Sequence, residues 1–274
     1  MSFEICDGFV QASPEETKEI QLSILKAVKR FCDDNNITYF LMYGTLLGAV
    51  RHKGYIPWDD DIDICMLRED YDRFVAEFKD ERYLVRSGQT EKHFPYYFAK
   101  VVDPRSILTE KIDGEDFNTG INVDLFVLDS IPSEASVREA LFKKMFAIRR
   151  KLLVHTLDKT VKRKWYKRVM IFVLEAMFRK KAYEYCEQMQ STAKAYAAYP
   201  SDSVYEMMTP YGMKSLMPRV YFSSTKQLMF EDDTYSVPAE YEKVLEKLYG
   251  DYMTLPPKEK QVTHHNFNIY IKKL

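Results

Sequence analysis

The chain has 274 residues, 46% apolar and 30% charged, with a formal net charge of −1. That length suits one large domain or a catalytic domain with a helical companion. The near-neutral charge gives no global field for nucleic acid, which is not expected as a partner.

The N-terminus is polar and acidic rather than a signal peptide, and no apolar run approaches the roughly 20 residues needed to span a bilayer. Cys6, Cys32, Cys65 and Cys186 are far apart and form no C-x-x-C pair, which argues against a zinc ribbon or a disulfide framework. A cytoplasmic protein with reduced thiols is expected, soluble or peripheral at the inner face of the plasma membrane.

Ser13 before Pro14-Glu15-Glu16 predicts a helix N-terminus, and Ile20, Leu22, Ile24, Leu25, Val28 and Phe31 supply its apolar face. Ile37 to Tyr43 reads as a strand ended by Gly44-Thr45, with a short helix from Leu46 to Val50. Arg51 to Trp58 is a basic and aromatic loop. Asp61 to Met66 reads as a second strand, followed by helical spacing from Glu69 to Phe78. Further strands are expected around Tyr83 to Val85, Tyr96 to Val102 and Ile121 to Leu128, with a loop or hairpin from Thr109 to Thr119. Ala135 to Tyr199 is helical and rich in Lys and Arg. Tyr221 to Pro238 suits a β-ribbon, and Tyr241 to Leu248 a short amphipathic helix. This order gives an α/β (α+β) class, with residues 1–134 as a catalytic core and residues 135–274 as a mainly helical, Tyr-rich region completing a substrate cleft.

Asp59-Asp60-Asp61-Ile62-Asp63 is the most informative segment. A solvated turn would explain four carboxylates in five residues, but the run enters an apolar strand. Alternation along that strand puts Asp61 and Asp63 on one face and Ile62 and Ile64 toward the core. Such a pair can share a hard divalent cation, Mg²⁺ or Mn²⁺. Asp124 interrupts the apolar stretch from Ile121 to Phe126 in the same way and is expected to be the third ligand. Three aspartates around Mg²⁺ suit in-line phosphoryl chemistry, so Asp61, Asp63 and Asp124 are the predicted catalytic and metal residues.

Gly44 and Thr45 lie where a strand passes into a helix, a position suited to cradling phosphate. Arg51, His52 and Lys53 either neutralise a diphosphate or form a solvated basic loop. Trp58 either closes the site or wedges the loop. Lys100 is either a diphosphate contact or a snorkelling edge lysine. Lys162 to Arg168, the apolar run Val169 to Leu174 and Arg179 to Lys181 form a basic, Trp-bearing segment. It reads either as a helix lying on an anionic membrane or as a core-packed helix with a solvated basic face.

The stretch Tyr43 to Ile64, YGTLLGAVRHKGYIPWDDDIDI, closely resembles the LicD family of bacterial phosphorylcholine transferases, which is related to fukutin and fukutin-related protein. The resemblance continues at Asn122 to Asp129 (NVDLFVLD), Phe230-Glu231, Val237-Pro238, Tyr249 to Met253 and Leu255 to Pro257. It spans roughly Pro14 to His265 and is weakest between Ala135 and Ser201. Where the family often has Ile-Asp-Ile-Phe-Pro-Leu-Asp, this chain has Val-Asp-Leu-Phe-Val-Leu-Asp, which keeps the aspartates.

The resemblance implies a nucleotidyltransferase-like mixed sheet flanked by helices, with metal-binding aspartates at Asp61, Asp63 and Asp124. It implies a CDP-alcohol donor, CDP-choline above CDP-ribitol. The acceptor would be a sugar hydroxyl of a teichoic acid or lipopolysaccharide precursor, a glycan or lipid-linked oligosaccharide. A choline headgroup needs an aromatic cage, for which Phe94, Tyr96, Tyr97, Tyr211 and Tyr221 are candidates. The competing readings are an NMP-transferring nucleotidyltransferase using the same aspartates and a non-catalytic scaffold.

Overall fold

In the computed structural model of the chain, residues 8–157, 163–263 and 269–272 are described. Cys6, Lys162 and His265, named above, lie outside them. Strand β1 (Phe9–Gln11) leads into helix α1 (Pro14–Asn35). The Ser13 hydroxyl accepts from the Glu16 N–H and the Glu16 carboxylate from the Ser13 N–H, satisfying two donors that helix geometry leaves unpaired. The helix buries Gln21, Ile24, Leu25, Val28 and Cys32, and ends at Asn36 in the left-handed conformation.

Next come β2 (Phe40–Leu41), α2 (Tyr43–Arg51), β3 (Asp63–Leu67), α3 (Arg68–Glu77), β4 (Leu84–Arg86) and β5 (Ala99–Asp103). Then follow the hairpin β6 (Ser106–Ile112) and β7 (Glu115–Asn118), and the long β8 (Ile121–Pro132). Helices α4 (Ala135–His155), α5 (Trp165–Met177) and α6 (Ala182–Tyr196) precede β9 (Ser201–Tyr205) and β10 (Met217–Pro218). The expected ribbon is β11 (Thr225–Phe230) with β12 (Asp233–Pro238), followed by α7 (Tyr241–Tyr249) and β13 (Ile269–Lys272).

The twelve-residue β8 is the spine of a seven-stranded mixed sheet. One edge pairs in parallel with β3; the other pairs antiparallel with β5 near its start and with β9 near its end. Ile121, Val123, Leu125 and Val127 are buried on one face, while Asn122, Asp124 and Phe126 alternate onto the other. Strands from both ends of the chain build a second sheet, in the order β1-β13-β6-β7.

A buried ion pair ties β8 to α3. Arg68 reaches Asp129 at 2.7 Å, and the Tyr97 hydroxyl also bonds that carboxylate.

The structure shifts several predicted boundaries. The Ile37–Tyr43 strand shrinks to two paired residues because Tyr43, at φ +50°, turns the chain at once into α2. Gly44 and Thr45 therefore sit in the first turn of a helix and not in a loop before it. Asp61 lies ahead of β3, yet the expected alternation holds: Ile62 and Ile64 are buried, the Asp124 N–H bonds Ile62 O, and Asp61 and Asp63 line one cavity. The preceding turn is held by the Asp59 N–H, which bonds Ile56 O, and by the Gln21 side chain on α1, which donates to Asp60 O at 3.0 Å.

No helix among the described residues is long and apolar enough to cross a membrane. Helix α5 has no buried side chain; Trp165 is 77% exposed and Phe172 72%.

Candidate active site

The site forms where three strands meet in register. Asp63 on β3 is opposite Asp124 on β8, and Asp124 is opposite Lys100 on β5. Directly paired residues project to the same face of a sheet, so strand register alone sets two carboxylates and an ammonium in one row. Lys100 Nζ lies 2.7 Å from Asp124 Oδ1, 3.3 Å from Asn122 Oδ1 and 3.8 Å from Glu110 Oε1. Burial would lower the Lys100 pKa, but the Asp124 and Glu110 charges outweigh it and hold the ammonium charged.

The neighbouring loop brings Asp59, Asp60 and Asp61 together, with one carboxylate oxygen from each within 4.8 Å of the others. Burial, then the Asp61 and Asp60 charges, lifts the Asp59 pKa to about 7. Burial, then Asp61, Asp124 and Asp59, pushes Asp63 well above the usual carboxylate range. All-oxygen, anionic donors crowded to the point of mutual repulsion fit a hard divalent cation.

Gly44 shapes the same spot. A Cβ there would fall 2.3 Å from Asp59 Oδ2, so glycine lets the carboxylate lie against the first turn of α2. The loop itself is clamped by the β11–β12 turn: Glu231 Oε1 accepts from the Tyr55 N–H at 2.9 Å, and the Glu231 N–H donates to Lys53 O. A Cβ on Gly54 would collide with that Glu231 carboxylate.

Two cavities meet at the aspartates. One, of about 840 Å³, is lined by Tyr43, Gly44, Arg51, Trp58, Glu206, Tyr211, Tyr249 and Lys260, among others. The other, of about 480 Å³, is lined by Lys18, Gln21, Tyr96, Lys100, Glu110 and Asn122, among others. Asp59, Asp61, Phe98 and Asp124 line both.

Residues 36–165 match the family described as LicD/FKTN/FKRP, nucleotidyltransferase domain. Over 266 residues the chain is 32% identical to the lipopolysaccharide cholinephosphotransferase LicD of Haemophilus influenzae, a match covering 93% of this chain and 97% of that protein. The chain belongs to the LicD family. Shorter matches join it to an uncharacterized protein of Rickettsia typhi, 40% identical over 27% of this chain and 25% of that one, and to one of Rickettsia prowazekii, 41% identical over 23% and 27%.

The predicted site residues of this LicD-type transferase divide into three groups. Gly44, Arg51, Trp58, Asp61, Asp63 and Asp124 line the larger cavity, whereas Lys100 lines the smaller. Arg51 also donates to Tyr252 O at 3.0 Å, bracing the loop after α7. Thr45, His52 and Lys53 line neither cavity. The buried Thr45 hydroxyl accepts from the Asp63 N–H at 2.8 Å, so it fixes the start of β3 and is not turned toward a phosphate. His52 packs edge-on against Trp58, and exposed Lys53 bonds Val50 O at the end of α2.

Sequence reading missed Asp59 as a member of the cluster and Glu206 and Tyr249 as cavity walls. The Asp59 position was legible in the carboxylate run. Tyr249 stands in a segment of the family resemblance, which could have flagged it, whereas Glu206 carries no local signal, because tertiary packing alone delivers it to the cleft.

Proposed function

We propose that this LicD-family transferase moves phosphocholine from CDP-choline to a sugar hydroxyl of a cell-surface glycan. Lipopolysaccharide is favoured over teichoic acid as the acceptor class, on the name of the near full-length Haemophilus relative. The observation that carries the reading is the pair of cavities sharing Asp59, Asp61 and Asp124, which suits two substrates reacting across one carboxylate cluster. The larger cavity, with Arg51 and Lys260 on its wall, suits an anionic nucleotide donor. The smaller, with Lys18, Gln21, Glu110 and Asn122, offers the donors and acceptors a sugar needs.

Asp61, Asp63 and Asp124, joined by Asp59 and Asp60, would hold Mg²⁺ or Mn²⁺, which would supply positive charge to the diphosphate. The acceptor hydroxyl attacks the phosphorus bearing choline. A new O–P bond forms, the bond to the bridging oxygen breaks, and CMP leaves. Asp124 stands between the cavities and takes the hydroxyl proton, and Lys100 holds its carboxylate in place. Incubation with CDP-choline, Mg²⁺ and a sugar acceptor should release CMP in step with phosphocholine incorporation. Release of pyrophosphate from CTP, with nucleotide left on the acceptor, would overturn the reading in favour of NMP transfer.

Helix α5 supports a peripheral position at the inner face of an anionic membrane, where a lipid-linked acceptor would be presented. Trp165, Val169, Met170, Phe172 and Met177 are exposed, and basic residues Arg163, Lys164, Lys167 and Arg168 stand at its start, with Arg179 to Lys181 beyond its end. Binding to anionic but not zwitterionic vesicles, lost in Phe172→Asp/Met177→Asp, is the expected result. Equal flotation of that variant would refute it.

A further inference from the structure

We propose that Tyr43, Phe126, Tyr211 and Tyr249, set over the buried Glu206, form the subsite for a quaternary ammonium headgroup. This rests on the phosphocholine reading and assigns the residues that recognise the alcohol.

The four rings line one cavity, a stacked pair flanked by two edge-on rings. Tyr43 and Tyr211 are 5.6 Å apart with planes 18° apart. Phe126 stands edge-on to Tyr43 at 5.5 Å and 88°, and Tyr249 edge-on to Tyr211 at 5.3 Å and 78°. A cation that donates no hydrogen bonds is held best by ring faces turned in several directions. The hydroxyls are already engaged: Tyr43 OH donates to Glu206 Oε2 at 3.2 Å, and Tyr211 OH and Tyr249 OH are 2.9 Å apart. Tyr43 is held at φ +50°, a strained conformation for an aromatic residue that fixes its ring at this corner.

Glu206 is placed to supply the complementary charge: burial favours its protonated form in the free protein, and a cation bound beside it favours the carboxylate. It is 1% exposed yet lines the cavity, and no ion pair to it is present among the described residues. Its contacts are neutral, the Met208 N–H at 2.6 Å and the Tyr43 hydroxyl. A buried carboxyl whose hydrogen-bond partners are neutral, and which the Arg149 charge reaches without an ion pair, is suited to a cation that arrives with the substrate. The same cavity contains Asp61, Asp63 and Asp124, so the headgroup and the reacting phosphate are bound within one space.

The other candidate aromatics are committed elsewhere. Lys100 Nζ lies 4.8 Å from the centre of the Tyr96 ring, and Lys243 Nζ 5.6 Å from that of Tyr221. Tyr97 is buried and bonded to Asp129, and Phe94 is buried beside Arg86. The corner at Tyr43 and Tyr211 has no such protein cation among the described residues.

The test compares CDP-choline with its neutral isostere, CDP-3,3-dimethylbutanol, in which carbon replaces the charged nitrogen. Calorimetric affinities with Mg²⁺ are measured for the full chain, Glu206→Gln and Tyr211→Leu, with CMP as the nucleotide control. The wild type should prefer CDP-choline by about tenfold or more. Glu206→Gln should bring that preference close to unity and leave CMP affinity unchanged, and Tyr211→Leu should do the same if the first variant fails to fold. Equal wild-type affinity for the two donors overturns the subsite while leaving the donor reading intact. Parallel loss of CMP and CDP-choline binding in Glu206→Gln also overturns it, assigning the corner to the base. Failure of the wild type to bind CDP-choline while binding another CDP-alcohol removes the donor reading and the subsite together.

Discussion

Replacing Glu206 by Gln should change how stability depends on pH, because its carboxyl is buried without a counter-ion. Burial raises its pKa from 4.5 to about 8, and the Met208 N–H, the Tyr43 OH and the Arg149 charge offset only part of that rise. Between those two values the unfolded chain has released the proton and the folded chain still holds it. The native state then binds more protons, so stability falls as pH rises from about 4.5 to about 8 and levels off above. The interval of roughly 3.5 units corresponds to roughly 5 kcal/mol as an upper bound, a large share of the roughly 5–15 kcal/mol typical of a domain. A glutamine keeps the acceptor for the Met208 N–H but has no proton to lose. Urea unfolding of both proteins from pH 5 to pH 9, with a chelator present throughout, isolates the residue, since the other titrating groups cancel in the difference. The variant should gain on the wild type up to about pH 8 and keep that margin above it. Stability curves that run parallel across it would refute the reasoning.

Asp63→Asn should abolish turnover without loss of folded structure, and in the absence of divalent cation its melting temperature should equal or exceed that of the wild type, because one repelling charge is gone; retained activity would remove Asp63 from the site. Asp129→Ala should cost about 3–5 kcal/mol in urea unfolding by leaving the Arg68 guanidinium buried without its main partner; a loss below about 1 kcal/mol would mean that Asp72 and Gln190 suffice. Gly44→Ala should displace the Asp59 carboxylate and lower kcat about tenfold or more with a change in stability of only about 1 kcal/mol. Unchanged kinetics would show that Asp59 need not lie against α2.

The local features of this chain were readable from its residues. The N-cap at Ser13, the ribbon expected within Tyr221 to Pro238, the loop or hairpin expected from Thr109 to Thr119 and the aspartates set into apolar strands all depend on neighbours a few positions away. The run at Asp59 to Asp63 marked the chemistry for the same reason. The LicD resemblance then supplied a family that the near full-length Haemophilus match bears out.

Tertiary structure decided what those residues face. Asp63, Asp124 and Lys100 are far apart in sequence, and only the strand order β3-β8-β5, set by burying the apolar face of β8, brings them into one row. The same packing turned the Thr45 hydroxyl inward to Asp63 and left His52 and Lys53 outside the cleft, although all three follow one another closely in the basic, Gly-containing segment that first suggested a phosphate site. Glu206 meets Tyr43 across 163 positions of chain. No periodicity signals that contact, because a buried carboxyl beside a phenol is stabilised by the cavity around it and not by the residues adjacent to it in sequence.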